Sequence, residues 1–520
     1  MRYAPVVAAL LSLASVGALR GADAPEVSLS VEDAVKMALE KNLDLEIERY
    51  KPLIATERIT EARAEFHPYL DYGLSYSRQN RFLNNILEFQ AEGGVVNETR
   101  IVPEASISGK LTSGAGYKLA ASAQTLQTDN PLRLFDLSYQ PQVALSFSQP
   151  LLRGFGRTYN LVRVSQARVV EKQALLGVKT SMLEVIQDVE TRYWLLSFAQ
   201  QHLEIARRNL DVATELIERL TRMREAGIST DLDVSQAQLA AEERKSSLAR
   251  AEADLKIAQV RLRVSVDPNL PVGTHVIALE TPVDEGPPDA LDRKVARALQ
   301  SRPEIEFQES VIESMALDEK MARSNARWEL NTYGSATYAS LGGKDLNPTL
   351  SNPFNQPVPP QLPDHLLDIQ ERDSLGSSFE DGNQSWTLGL NLEIPLGSRS
   401  SLAEVVPKRL KRTQEEIRLQ RVRQQIRTDI ETAFHNMTAE WSRLNSAREA
   451  VRLAQLQLNA EGRNLEVGIN TVWDVIEAQD RLAAALDAEG RALAFYATAR
   501  TGLQAAQAES FEVHRLVVAP

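Results

Sequence analysis

The residues placed to do chemistry are carboxylates rather than nucleophiles. Asp474 and Glu477 stand three apart, a spacing that puts both on one face of a helix. Asp474 also follows Thr471 by three, as Asp233 follows Thr230. That is the capping-box arrangement, in which hydroxyl and carboxylate each accept from a backbone N–H that the helix start leaves unpaired. Catalytic constellations do not occur. There is no H-E-x-x-H, G-x-S-x-G or Walker A motif, and His67, His202, His275, His365, His435 and His514 are scattered. With no Cys, a disulfide framework, a thiolate metal site and a catalytic thiol are all excluded. Neither an enzyme nor a cofactor is expected, and no firm metal site.

The elements that position those carboxylates come in duplicate. "AGISTDLDVSQAQ" from Ala226 and "VGINTVWDVIEAQ" from Val467 lie 241 residues apart and share Gly, Ile, Thr, Asp, Val, Ala and Gln. The same offset aligns "DVETRYW" from Asp188 with "DIETAFH" from Asp429, and further matches upstream define repeats over 25–270 and 289–520. The Pro- and Gly-rich stretch 271–288 joins them. Before each cassette, 160–226 and 402–467 have strong helix composition. Helices of that length run on the order of 100 Å, which no compact globular domain holds, so they are expected to be coiled-coil-like staves. Gly227 and Gly468 are placed as left-handed stops. Thr230 and Thr471 then cap return helices, expected over 231–264 and 472–504 and antiparallel to the long ones.

Strands lie at the other ends of the long helices. "YLDYGLSYS" puts Leu70, Tyr72, Leu74 and Tyr76 opposite Asp71, Gly73, Ser75 and Ser77; "VALSFS" and "LGLNLEI" alternate in the same way, and "LNTYGSATYAS" does so weakly. An outer-membrane barrel or a soluble sandwich would give this pattern. Polar stretches 79–99 and 342–383 separate the paired strands, the second suiting an exposed loop. "ASISGKLTSGAGYKLAASAQ", from Ala105 to Gln124, is a further hairpin, either outside the bilayer or making four membrane strands in the first repeat. Residues 1–24 carry Arg2 ahead of an apolar run and an Ala22-x-Ala24 site, the marks of a secretory signal peptide. No later run is long and apolar enough for a spanning helix, so membrane insertion requires strands. A formal charge of -12 disfavours wrapping of nucleic acid.

About four membrane strands cannot close a barrel, since single-chain barrels begin at eight. An open edge in lipid costs several kcal/mol per unpaired group, so copies must join, making a conduit rather than a catalyst. The signal peptide, "SQPLLRGFGR" after a strand and the doubled "GIxTxxDVxxAQ" together resemble the TolC-type outer membrane efflux protein family, over essentially the whole mature chain. The resemblance implies a mainly α fold with β. In it, a homotrimer's repeats build a twelve-stranded membrane barrel and a long periplasmic α-helical barrel. It implies docking to a periplasmic membrane-fusion adaptor and an inner-membrane transporter in tripartite efflux or type I secretion, in the outer membrane of a Gram-negative-type envelope.

Residue by residue, the resemblance places Ala226, Gly227, Ile228, Val467, Gly468 and Ile469 at the adaptor-docking tip. It places Asp474 and Glu477 in an acidic ring at the periplasmic gate, with cation binding implied; capping alone is the other role for Asp474. Where the family's best-known pattern has a basic latch residue two after the second Gly, this chain has Asn470. Leu465 supplies an apolar constriction instead. The competing class is a secreted periplasmic coiled-coil protein with no pore, which leaves the repeated strands unexplained.

Overall fold

The computed structural model describes residues 26–82, 94–130, 133, 135–346, 382–394, 403–467 and 469–514. The signal peptide expected over 1–24, Gly468 and most of the stretch 342–383 lie outside them. The chain forms two compact units, each drawing segments from both repeats: 1–49, 178–303 and 423–520 in the first, 50–177 and 304–422 in the second.

Element order repeats. The first half runs β1 (Glu26–Leu29), α1 (Val31–Lys41), α2 (Leu43–Ala64), β2 (Tyr69–Phe82), β3 (Val95–Lys110), β4 (Gly116–Thr128), β5 (Phe135–Pro150), α3 (Arg157–Asn160), α4 (Val162–Glu225) and α5 (Asp231–Val266). The second runs β6 (His275–Ala278), α6 (Leu291–Ser301), α7 (Pro303–Asn325), β7 (Glu329–Ala339), β8 (Gly342–Leu346), β9 (Asn383–Glu393), α8 (Val405–Glu466), α9 (Val472–Ala506) and α10 (Ser510–Val513).

In the first unit, α4 and α5 pack antiparallel along small and branched apolar side chains. Leu203 and Ala206 meet Ala251, and farther along Leu216 and Leu220 meet Val234, Ala237 and Ala240. On α8 and α9, Met437 and Leu444 cluster with Ala492, Tyr496 and Leu503. β1 pairs in parallel with β6, and beside them Leu29, Val35, Leu45, Ile186, Tyr193, Leu262 and Val276 form the main core. The linker is tied down there. Tyr193 is fully buried; its hydroxyl donates to the Leu29 carbonyl at 3.0 Å and accepts from the Glu280 N–H at 2.9 Å. Tyr496, equally buried, donates to the Gly286 carbonyl at 2.8 Å. Burial pushes both phenols above their ordinary range.

The second unit holds an antiparallel sheet in the order β2-β3-β4-β5-β7-β9, with β8 pairing to the start of β5. The hairpin from Ala105 to Gln124 is therefore part of this sheet, so the first repeat supplies four strands of the path and the second two. The weak alternation of β7 has a packing cause. Its small Gly334 lies opposite Phe147, and a Cβ there would sit 2.4 Å from the Phe147 ring. Outside the sheet, Ile59 on α2 packs with Val164 and Ala167 on α4.

Candidate functional site: the paired helix turns

At the first turn, α4 ends at Glu225 and Gly227 takes φ 74, where a side chain is strained. The Ile228 N–H reaches back to the Met223 carbonyl at 2.8 Å and the Gly227 N–H to that of Arg224 at 2.9 Å, the two bonds of a Schellman stop. Thr230 then caps α5. The Asp233 N–H donates to its hydroxyl at 3.2 Å, while the Thr230 N–H and hydroxyl donate to the Asp233 carboxylate at 2.8 and 2.7 Å. These bonds, backbone first, hold the Asp233 carboxyl below its ordinary range.

The second turn carries the same cap, while Gly468 lies outside the described residues. The Ile469 N–H bonds the Asn464 carbonyl at 2.9 Å. Thr471 donates to Asp474 from its N–H at 2.8 Å and its hydroxyl at 2.7 Å, and accepts from the Asp474 N–H at 3.4 Å. The Thr471 hydroxyl, then its backbone N–H, hold Asp474 below the ordinary carboxylate range. Capping thus engages the Asp of both cassettes. Glu477 also has a partner: Arg481, one turn on, at 2.6 Å. Asn470 donates through its side-chain amide to Glu461 rather than to Asp474 or Glu477. Leu465 is half-buried, packed against the cluster of Leu216, Leu220, Val234, Val472 and Ile476 that joins the two turns within one protomer.

The outer surface of the turns is apolar and open. Ile228 is 71% exposed, Val467 69% and Ile469 74%, with Ala226 and Gly227 exposed beside them. Leu232 and Trp473 add to this surface, at 66% and 52%.

Residues 34–266 and 297–509 match the family described as outer membrane efflux protein. The chain belongs to the outer membrane efflux protein family. No curated protein sequence matches this efflux protein. Its fold is similar to that of the Campylobacter jejuni CmeC outer membrane channel, at 13% identity over 94% of this chain and 89% of that one, with a TM-score of 0.62. It is likewise similar to the outer membrane protein VceC of Vibrio cholerae, at 15% identity over 92% and 95%, with a TM-score of 0.59. The open state of the Neisseria gonorrhoeae MtrE outer membrane channel gives 15% over 92% and 88%, again at 0.59. The efflux protein thus has the TolC-type fold, mainly α with β and built from two repeats.

A polar contact between α5 and α9 of this efflux protein is absent from the cassette pattern. Arg244 on α5, its side chain only 10% exposed, donates to the Asp480 carboxylate at 3.0 Å, to the Gln479 side chain at 3.2 Å and to the Asn209 carbonyl at 3.3 Å. Gln479 closes the second cassette and Asp480 follows it, but their partner lies 236 residues from Asp480, beyond the reach of any local pattern. Among the described residues, no group of three or more His, Asp or Glu is placed to hold a metal ion.

Proposed function

We infer that this efflux protein is the outer membrane exit duct of a tripartite efflux or type I secretion assembly. Three copies form a passive conduit, reaching the outer membrane by way of the signal peptide at 1–24. The turns, at Ala226, Gly227, Ile228, Val467, Gly468 and Ile469, receive a periplasmic adaptor bound to an inner-membrane transporter. Asp474 and Glu477 line the gate with Leu465 and Asn470. The observation that carries the reading is the sheet of the second unit. One of its faces is apolar yet exposed, with Leu70, Tyr72 and Leu390 at 75%, 75% and 69%. A pore-free coiled-coil protein has no use for such a face, whereas lipid covers it without cost.

Purified protein in planar bilayers tests the conduit: discrete trimer channels are expected, and a monomer recovered from soluble periplasm without conductance overturns it. For docking, Ile228→Asp with Ile469→Asp changes only exposed side chains. That variant is expected to keep the heat-resistant trimer and lose adaptor cross-linking; full cross-linking refutes the docking surface.

A further inference from the structure

Among the described residues, strands β3 and β4 have no counterpart in the second repeat. The sequence matches pair Ala62 to Asp71 with Ala322 to Asn331, and Leu145 to Leu152 with Leu390 to Gly397, which makes β2 equivalent to β7 and β5 to β9. The hairpin is thus an insertion between equivalent strands, and its register shows which environment it meets. Leu70, Tyr72 and Tyr76 of β2 stand opposite Ile107, Ala105 and Ile101 of β3. Ile107 and Ala105 stand opposite Leu119 and Ala121 of β4, and these opposite Leu145 and Val143 of β5. Directly opposed residues share a face, so one apolar band crosses all four strands and continues through Ala336 of β7 to Trp386 of β9.

On the hairpin, charge obeys the same division. Arg100, Glu104 and Lys118 alternate onto the other face, where Lys118 pairs with Glu104 at 3.4 Å and Gln124 donates to Gln140 at 3.1 Å. At 16 and 13 residues, β3 and β4 exceed the roughly 9–11 that a tilted membrane strand needs. Their turn is anchored rather than loose. The Gly156 N–H donates to the Ser113 carbonyl at 2.9 Å, and a Cβ on Gly114 would lie 2.6 Å from the Gly154 carbonyl. Among the described residues the six-strand path runs alternately up and down, so its two edges, β2 and β9, are oppositely directed and suit antiparallel pairing between copies.

We propose that the inserted hairpin β3–β4 spans the membrane, so that each protomer contributes six strands to a wider barrel. The proposal rests on the conduit reading above. Three copies of six strands close eighteen in place of the twelve implied by resemblance, and because diameter grows roughly linearly with strand number the pore is about 1.5-fold wider. Eighteen strands fall in the range of porins with an aqueous lumen, suiting bulky cargo on the barrel side.

The absence of native Cys permits single-cysteine mapping of trimers in vesicles, using an aqueous maleimide and a lipid-phase quencher of a thiol-linked fluorophore. Ala105→Cys and Ala121→Cys are expected to meet only the lipid probe, and Glu104→Cys and Ser122→Cys only the aqueous reagent. Leu74→Cys and Ser75→Cys on β2, with Leu390→Cys and Asn391→Cys on β9, are the controls. Aqueous labelling of both hairpin faces while the controls alternate overturns the proposal and leaves the conduit standing. Aqueous labelling of all eight positions overturns both. Replacing 95–128 by a short Gly-Ser loop is expected to cut the largest polymer admitted from the barrel side by about one third in diameter; an unchanged cut-off refutes the widening.

Discussion

Asp233 and Asp474 have the same local task, and proton linkage reveals it. Both carboxyls sit below their ordinary value of 3.8 in the folded turn, so each contributes stability above that value and loses it as pH falls through the lower folded one. Hydrogen exchange at the starts of α5 and α9, corrected for the intrinsic rate at each pH, is therefore expected to stay slow down to about pH 4 and to accelerate below it. Constant protection to pH 2 would exclude the capping contribution. Glu477 calls for a different measurement. Its pairing with Arg481 is half-exposed and worth only about 0.3–0.5 kcal/mol, too little for stability to report. In the gate role, Arg481→Ala frees the carboxylate and strengthens block by divalent cations in single-channel records, while Glu477→Gln weakens it. Equal block in both variants removes Glu477 from the gate.

Elements divide by how far apart their determinants lie. The Thr cap and the Asp three beyond it are contiguous, so both caps were readable from sequence, as was the Gly227 stop, and the long helices were bounded to within a few residues. Arg481, four after Glu477, is equally local. Arg244 with Asp480 is not, and neither was the place of the β3–β4 hairpin, because alternation reports two faces without naming the neighbouring strand. Two glycines separate the kinds of constraint. Gly227 has open space around its missing Cβ and is held only by its φ of 74, so Gly227→Ala is expected to cost about 1–2 kcal/mol and leave trimers intact. Gly114, at φ 96, also faces the Gly154 carbonyl backbone, which cannot rotate away. Gly114→Ala is expected to abolish the heat-resistant trimer on denaturing gels; normal yield of both variants would show that the hairpin turn does not dock.

At the scale of the whole chain, duplication is plain in the sequence, yet the compact units cut across the repeats rather than following them. The linker shows how the copies are bound into one structure. Tyr193 of the first repeat and Tyr496 of the second both hold it, each through a buried hydroxyl. Tyr193→Phe leaves the Leu29 carbonyl and Glu280 N–H without that partner, a loss of about 1–3 kcal/mol that calorimetry should read as a lower Tm. An unchanged Tm would mean water replaces the hydroxyl. The sheet edges β2 and β9 bear on the time before assembly. In the exit-duct reading a single copy presents two sheet edges, with no neighbouring strand among the described residues, beside a bare apolar face, the combination most prone to clumping in water. In that reading, assembly is therefore a race between finding two sister copies and sticking to anything else.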